Sequence, residues 1–300
     1  MKNRRKFLKL SAMASAGAML PFQFCTAPKQ VSEELEFNLG NGTSGILDDF
    51  GLQLYSVKED MAQDPVATMR KVAGYGYTQF EGFDGGKGIL WGLNPGEFKQ
   101  LMSEIKVDFI ASHANTFENL DQQAEWAGEV GMKYLICPWV GPQKSMDDFK
   151  KLAEAFNGQG EICKKHGIRF AYHNHGYTFD ELEGQIPQDY LMENTDPELV
   201  DFEMDTYWVY TAGFDPSQYI LKYPNRFVLG HVKDKSKDVE FSEPNGSTII
   251  GSGLMDFPTI LRTGKDNGMK YFIVEQERFD GVTPLEAAEA NASFMKKLVF

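Results

Sequence analysis

The chain has 300 residues, 42% of them hydrophobic, with a net charge of −13 and a pI near 4.9. That acidic balance repels phosphate backbones and argues against a nucleic-acid partner. Cys25, Cys137 and Cys163 are the only cysteines, too few and too scattered for a disulfide framework.

At the N-terminus, Arg4-Arg5 precedes a moderately apolar run over residues 10–20. The run is too short for a stable membrane span and has the make-up of a signal-peptide core. The arginine pair followed by Phe7-Leu8-Lys9 is similar to a twin-arginine export signal. Residues 1–27 are therefore read as a signal peptide, cleaved after Ala16-Gly17-Ala18 or later. Cys25 offers an alternative, lipidated N-terminus, although Phe22-Gln23-Phe24 is a poor lipobox. Residues 28–48 are polar, with Gly40, Gly42 and Gly45, and read as a linker. The expected location is exported, either periplasmic or lipid-anchored. No basic amphipathic stretch follows, so no membrane span is expected in the mature domain, and a homo-oligomer is left open.

From Phe50 onward, short apolar runs alternate with helical patterns. Strands are expected at 51–55, 78–83, 108–113, 134–138, 169–173, 200–205, 227–231 and 271–275. Helices are expected near 65–74, from Pro95 with Asn94 as cap, and at 120–130, 146–166, 257–267 and 284–298. A longer loop with a short helix leads into the run at 200–205. Such alternation implies a parallel sheet covered by helices. Eight units within residues 49–300 favour closure into a single (β/α)8 TIM barrel over an open sheet. Gly85-Gly86-Lys87-Gly88 lacks the Walker spacing and reads as a flexible active-site loop.

The polar residues that end the strands carry the functional signal. His113, His173 and His231 each terminate an apolar run, and His175 lies two residues past His173. The run at 200–205 ends in Asp205, and the last one in Glu275. In such barrels the C-terminal strand ends form the active-site face. Side chains alternate across a strand, so Glu203 shares a side with Asp205, Leu229 with His231, and Ile273 with Glu275. If Asp205, His231 and Glu275 point inward, they meet around one ion. Imidazole with carboxylate suits Mn, Zn, Fe or Co.

Five blocks carry a family resemblance: residues 51–56, Tyr172-His173-Asn174-His175, 203–208, Gly230-His231-Val232-Lys233-Asp234 and Val274-Glu275-Gln276-Glu277. Together they resemble the sugar phosphate isomerase/epimerase family, whose members are xylose isomerase-like TIM barrels. The resemblance implies one divalent metal, most often Mn, with Zn, Co, Fe or Mg as alternatives. It implies that Asp205, His231 and Glu275 are ligands. Where tagatose epimerases place a glutamate, this chain has His173, taken as the fourth ligand. That variant is more similar to the inosose dehydratase branch and to relatives that process 3-keto-glycosides.

The implied chemistry is proton abstraction next to a carbonyl through a metal-stabilised enediolate. Isomerisation or epimerisation of an unphosphorylated sugar or keto-sugar is the expected outcome. The alternatives are β-elimination by a lyase or dehydratase, and a non-catalytic sugar-binding barrel. An endonuclease IV-like phosphodiesterase would need a basic face that this chain lacks. His113 or His175 is the expected acid/base, because imidazole titrates near working pH. Lys233 and Glu275 complete the catalytic candidates. Glu81, Trp91, Trp139 and Trp208 are expected to bind a small-molecule carbohydrate, and Glu203 and Glu277 are lesser candidates.

Overall fold

In the computed structural model, residues 47–300 are described, apart from 242 and 244. The expected signal peptide, Cys25 and all but the end of the linker lie outside the described residues. Seven strands follow one another from the start: β1 (Gly51–Gln53), β2 (Gln79–Phe83), β3 (Asp108–His113), β4 (Tyr134–Cys137), β5 (Arg169–His173), β6 (Val200–Asp205) and β7 (Phe227–Val232). After β7 come a small antiparallel pair, β8 (Asp234–Lys235) and β9 (Ser247–Thr248), and then β10 (Tyr271–Val274). Strands β1 to β7 and β10 pair in parallel and close into a barrel, with β10 between β7 and β1. The expected (β/α)8 TIM barrel is therefore the fold. No described helix is long and apolar enough to cross a membrane.

Strands of a parallel barrel are covered on both faces, which explains their continuous Val, Ile, Leu, Phe and Tyr runs. Inside, Ile110, Ala111, Tyr134, Ile136, Ala171, Val228 and Leu229 fill the end of the barrel nearest the strand starts. The Arg169–Asp201 ion pair lies at that end too, while the buried His, Asp and Glu clusters gather at the other. Outside, a larger core joins strands to helices through residues such as Phe80, Phe98, Phe156, Phe170 and Phe202.

The helices start at chemically marked places. Helix α1 (Lys58–Gln63) is followed by α2 (Pro65–Gly74), which opens on the Asp64 cap with Pro65 at its first position. Helix α3 (Pro95–Ile105) begins with a reciprocal Asn94–Glu97 capping box. Then come α4 (Leu120–Val130), α5 (Met146–Lys165) and α6 (Pro187–Asn194).

The first strand is shorter than expected. Gln53 turns its side chain to accept the Tyr55 amide, and residues Leu54–Val57 wind into a 3-10 turn. Two short helices, α7 (Thr206–Thr211) and α8 (Pro216–Lys222), fill the segment after β6. Asp205 caps α7 by accepting from the amides of Tyr207 and Trp208 at 2.9 and 3.2 Å. Helices α9 (Phe257–Asp266) and α10 (Pro284–Met295) flank β10.

The register shifts at Phe80/Glu81 in the β2–β3 ladder and at Phe202/Glu203 in the β6–β7 ladder. Such irregularities re-aim side chains, and here both fall beside an inward carboxylate.

Candidate active site

At the C-terminal strand ends a cavity of about 460 Å³ opens, and the halves of the barrel furnish it differently. Tyr55, Phe83, Phe117 and Trp139 follow or end β1 to β4 and supply aromatic walls. Trp139 and Phe117 leave 54% and 53% of their surface exposed, more than a core role explains. The later strands, β5 to β7 and β10, supply or lead into His173, His175, Trp208, Lys233, Glu275 and Glu277.

Beneath this cavity, potential ligand atoms of His173, Asp205, His231 and Glu275 lie within 4.8 Å of one another, and all four residues are buried. His231 Nε2 lies 2.8 Å from Glu81 Oε1. Donation of that N–H to the carboxylate leaves Nδ1 as a lone pair facing the cluster. His231 Nδ1 is 3.2 Å from His173 Nε2, 3.2 Å from Glu275 Oε2 and 3.8 Å from Asp205 Oδ2. Asp205 Oδ2 is buried without a hydrogen-bond partner, although its other oxygen caps α7. An orphaned buried carboxylate oxygen is costly. Two imidazoles and two carboxylates converging around it fit a divalent cation.

A second group lies under the first. Glu81 Oε1 accepts from Gln53 Nε2 at 2.6 Å and sits 3.0 Å from His113 Nε2. His113 Nε2 is also 2.9 Å from Glu203 Oε2. Potential ligand atoms of Glu81, His113, Glu203 and His231 again fall within 4.8 Å of one another.

The electrostatics follow from burial and these contacts. For Asp205, burial disfavours the charge, but Lys233, His173 and His231 outweigh it and hold the carboxyl well below its usual range. Burial opposes charge on His231 too, yet Glu203, Glu275 and Glu81 push its pKa well up. The field at that ring therefore favours a positive charge, whether proton or metal. Burial would neutralise Lys233, but Glu275, Asp205 and Glu277 keep it charged. Its ammonium donates to Glu275 at 2.9 Å and Glu277 at 3.1 Å. Burial lowers His173 to about 4 and His175 to about 2. His113 is buried as well, but Glu81 and Glu203 hold it up at about 9.

Of the residues singled out from the sequence, His173, Asp205, His231 and Glu275 come together. His113, His175, Lys233, Trp139 and Trp208 line the cavity with Glu275. His175 is enclosed by Trp139, Tyr177, Trp208 and His173. Glu81 and Trp91 do not line the cavity. Glu81 is wholly buried beneath it, with Oε1 engaged by Gln53, His113 and His231 rather than by a sugar.

Trp91 is 3% exposed, packed edge-on to Phe83 at 4.8 Å and filling the space where a Cβ on Gly85 would stand. The glycine run read as a flexible loop is instead wound into a turn, with the amides of Gly86 and Gly88 donating to Asp84. Sequence reasoning missed the aromatic walls from Tyr55, Phe83 and Phe117, although each lies at or just past an expected strand end. Gln53 sits in one of the motif blocks, but nothing marked it as the partner of Glu81.

The chain belongs to the xylose isomerase-like TIM barrel family, whose model matches residues 70–298. A solved sugar phosphate isomerase/epimerase from Parabacteroides distasonis is 28% identical with a TM-score of 0.71, covering 86% of this chain and 96% of that one. The inosose dehydratase of Clostridium perfringens is 29% identical over 165 residues, 50% of this chain and 55% of that protein. That of Geobacillus kaustophilus is 27% identical over 206 residues, 59% of this chain and 66% of that protein. The match thus spans little more than half the length of the first of these dehydratases. The solved 3-keto-D-glucoside 4-epimerase from E. coli, 14% identical with a TM-score of 0.61 over 78% of this chain and 94% of that one, shares the fold.

Proposed function

We propose that the protein is a metal-dependent enzyme that removes a proton next to the carbonyl of an unphosphorylated sugar or keto-sugar. The observation that carries this reading is the convergence of His173, Asp205, His231 and Glu275 under an aromatic-walled cavity. A bound divalent ion would polarise the carbonyl as a Lewis acid and stabilise the charge that develops when the proton leaves. His173, Asp205, His231 and Glu275 would hold it. Manganese is the ion we favour for this set of two imidazoles and two carboxylates.

The remaining roles belong to the protein's own groups. Glu277 lines the cavity with a side chain 24% exposed, and burial raises its pKa despite the neighbouring lysine. A carboxylate shifted toward working pH and open to substrate is suited to take the proton. Lys233, fixed between Glu275 and Glu277, donates a hydrogen bond to a substrate oxygen. His113 lines the cavity from β3, and the charged Lys233, in the same lining, is the group suited to serve as the acid. His175 stays neutral and acts as a hydrogen-bonding wall rather than a base. Trp139 and Trp208 stack on the C–H faces of the sugar. The cavity lining includes Asp84, Glu275 and Glu277 but one lysine or arginine, Lys233, already paired. That balance disfavours a phosphate group.

Returning the proton to carbon gives an isomer or epimer. Elimination is the second reading, and a specific observation favours it. The base after β10 and the acid after β7 are different groups, suited to deprotonating carbon while protonating a departing oxygen. The inosose dehydratase relatives point the same way.

The test is incubation with Mn²⁺ and candidate keto-sugars in deuterated water. Chelator-sensitive deuterium uptake next to the carbonyl supports the proposal, and the product separates epimer from dehydrated sugar. Saturable sugar binding without exchange would make the chain a sugar-binding barrel. Export of the folded protein through the Arg4-Arg5 leader is part of the same proposal. Loss of export in an R4K/R5K variant, read by cell fractionation, tests it.

A further inference from the structure

The proposed ion does not balance the charge buried in this barrel. Glu81, Glu203, Asp205, Glu275 and Glu277 crowd together, and all but Glu277 have side chains no more than 6% exposed. Among the described residues, Lys233 is the only lysine or arginine in ion-pair contact with any of them. One divalent cation and one lysine leave the five carboxylates two positive charges short, a gap that protons on His113 and Glu203 fill in the absence of a further ion. A second divalent cation brings the set to neutrality with every imidazole uncharged. Buried charges persist only when compensated.

The geometry says where the missing charge belongs. Glu81 Oε2 and Glu203 Oε1 are both buried without a hydrogen-bond partner. They belong to the lower group, in which His113 Nε2 faces Glu81 Oε1 at 3.0 Å and Glu203 Oε2 at 2.9 Å. A single N–H cannot donate well to both oxygens, whereas a ring lone pair and two carboxylates can share one cation. Glu81 Oε1 is already engaged by Gln53 and His231, so Oε2 is the oxygen left for a ligand. The His113 ring lines the cavity and gives the group its opening.

We propose that Glu81, His113 and Glu203 hold a second divalent cation, separated from the first by the His231 ring. This inference rests on the reading that the upper group binds an ion. His231 then serves both sites: Nδ1 faces the upper one, and Nε2–H orients the Glu81 carboxylate of the lower one. Two carboxylates and one imidazole suit Mn²⁺, Fe²⁺ or Zn²⁺.

The experiment is metal stoichiometry of the chelator-stripped, reloaded protein, measured by plasma mass spectrometry. Saturation with Mn²⁺ is expected to give two ions per chain, with the paramagnetic resonance spectrum of a coupled pair. Glu203→Gln, close to isosteric, is expected to retain one ion and lose the coupling. Asp205→Asn is expected to retain one ion as well, in the lower site. A single ion per chain, unchanged in Glu203→Gln but lost in Asp205→Asn, would overturn the second site and leave a proton on Glu203 as the balancing charge. No bound metal in the unmodified protein would sink the proposed function together with this inference. The paired spectrum is read on the unmodified protein, so the test survives if a variant fails to fold.

Discussion

Asn174 lies under the cavity floor, and its amide grips the Asp205 backbone by both ends. Its side-chain oxygen accepts the Asp205 amide at 3.1 Å, and its nitrogen donates to the Asp205 carbonyl at 3.3 Å. Asn174→Ala should therefore loosen a ligand without removing one. Outer partners of metal ligands are typically worth roughly 10- to 100-fold in affinity, and calorimetric titration with Mn²⁺ should show a loss of that order. Trp139 acts on the other side of the site. Trp139→Ala should raise KM about 5- to 10-fold, up to the roughly 1.4 kcal/mol that a tenfold change represents. Its thermal midpoint should barely move, because the ring is half in water. Burial pushes Cys137 up to about 11 and Cys163 to about 12. Neither thiol should react with a disulfide reagent at neutral pH until the protein unfolds. The upper ligand group was legible because strand parity aims every second side chain inward. Depth was not legible: Glu81 and Asp205 both sit near strand ends, yet one is buried among partners below the cavity and the other faces the cluster. Sequence distance from a strand end also said nothing about whether Trp91 would turn toward solvent or into the core.

Helices α6 and α8 are tied by one carboxylate. Asp189 on α6 accepts from Lys222 Nζ at 2.7 Å, from Tyr223 Oη at 2.9 Å and from the Tyr219 hydroxyl. Burial pushes the Asp189 pKa up, but Lys222 and the two tyrosines outweigh burial and hold it below the usual carboxylate value. A group whose folded pKa is depressed stabilises the fold fully above its unfolded value and loses that contribution as pH falls through the folded one. Asp189→Asn should thus cost roughly 1 kcal/mol at neutral pH, since the pair is partly exposed. Its denaturant midpoint should fall less steeply with acid than that of the parent. The Thr283–Glu286 capping box of α10 offers a second check. Thr283→Ala should destabilise by about 1 kcal/mol in the same assay. A cap of this kind made the start of α3 readable from sequence, because Asn94-Pro95 has few other uses. The six residues of α7 and the two-residue strands β8 and β9 are too short to show any period.

At the scale of the molecule, an ion bound only by the folded barrel is a folding ligand. Mn²⁺ at about 100 times its dissociation constant should add roughly 2.7 kcal/mol to stability. The thermal midpoint should climb with Mn²⁺ and return with chelator, and indifference to both would contradict the proposed centre. The closed barrel itself was legible in the alternation of runs, since eight parallel strands with their helices leave few other ways to cover both faces. The parts of its mouth differ in what they contribute: residues at or after the ends of the first four strands bring most of the aromatic walls, and the strand ends themselves, chiefly of the later strands, bring the ionic chemistry. A lineage built this way can change its diet by trading loops on one side while its inorganic toolkit is inherited intact. Chimaeras that exchange those four loops between relatives are thus a direct route to new sugar preferences.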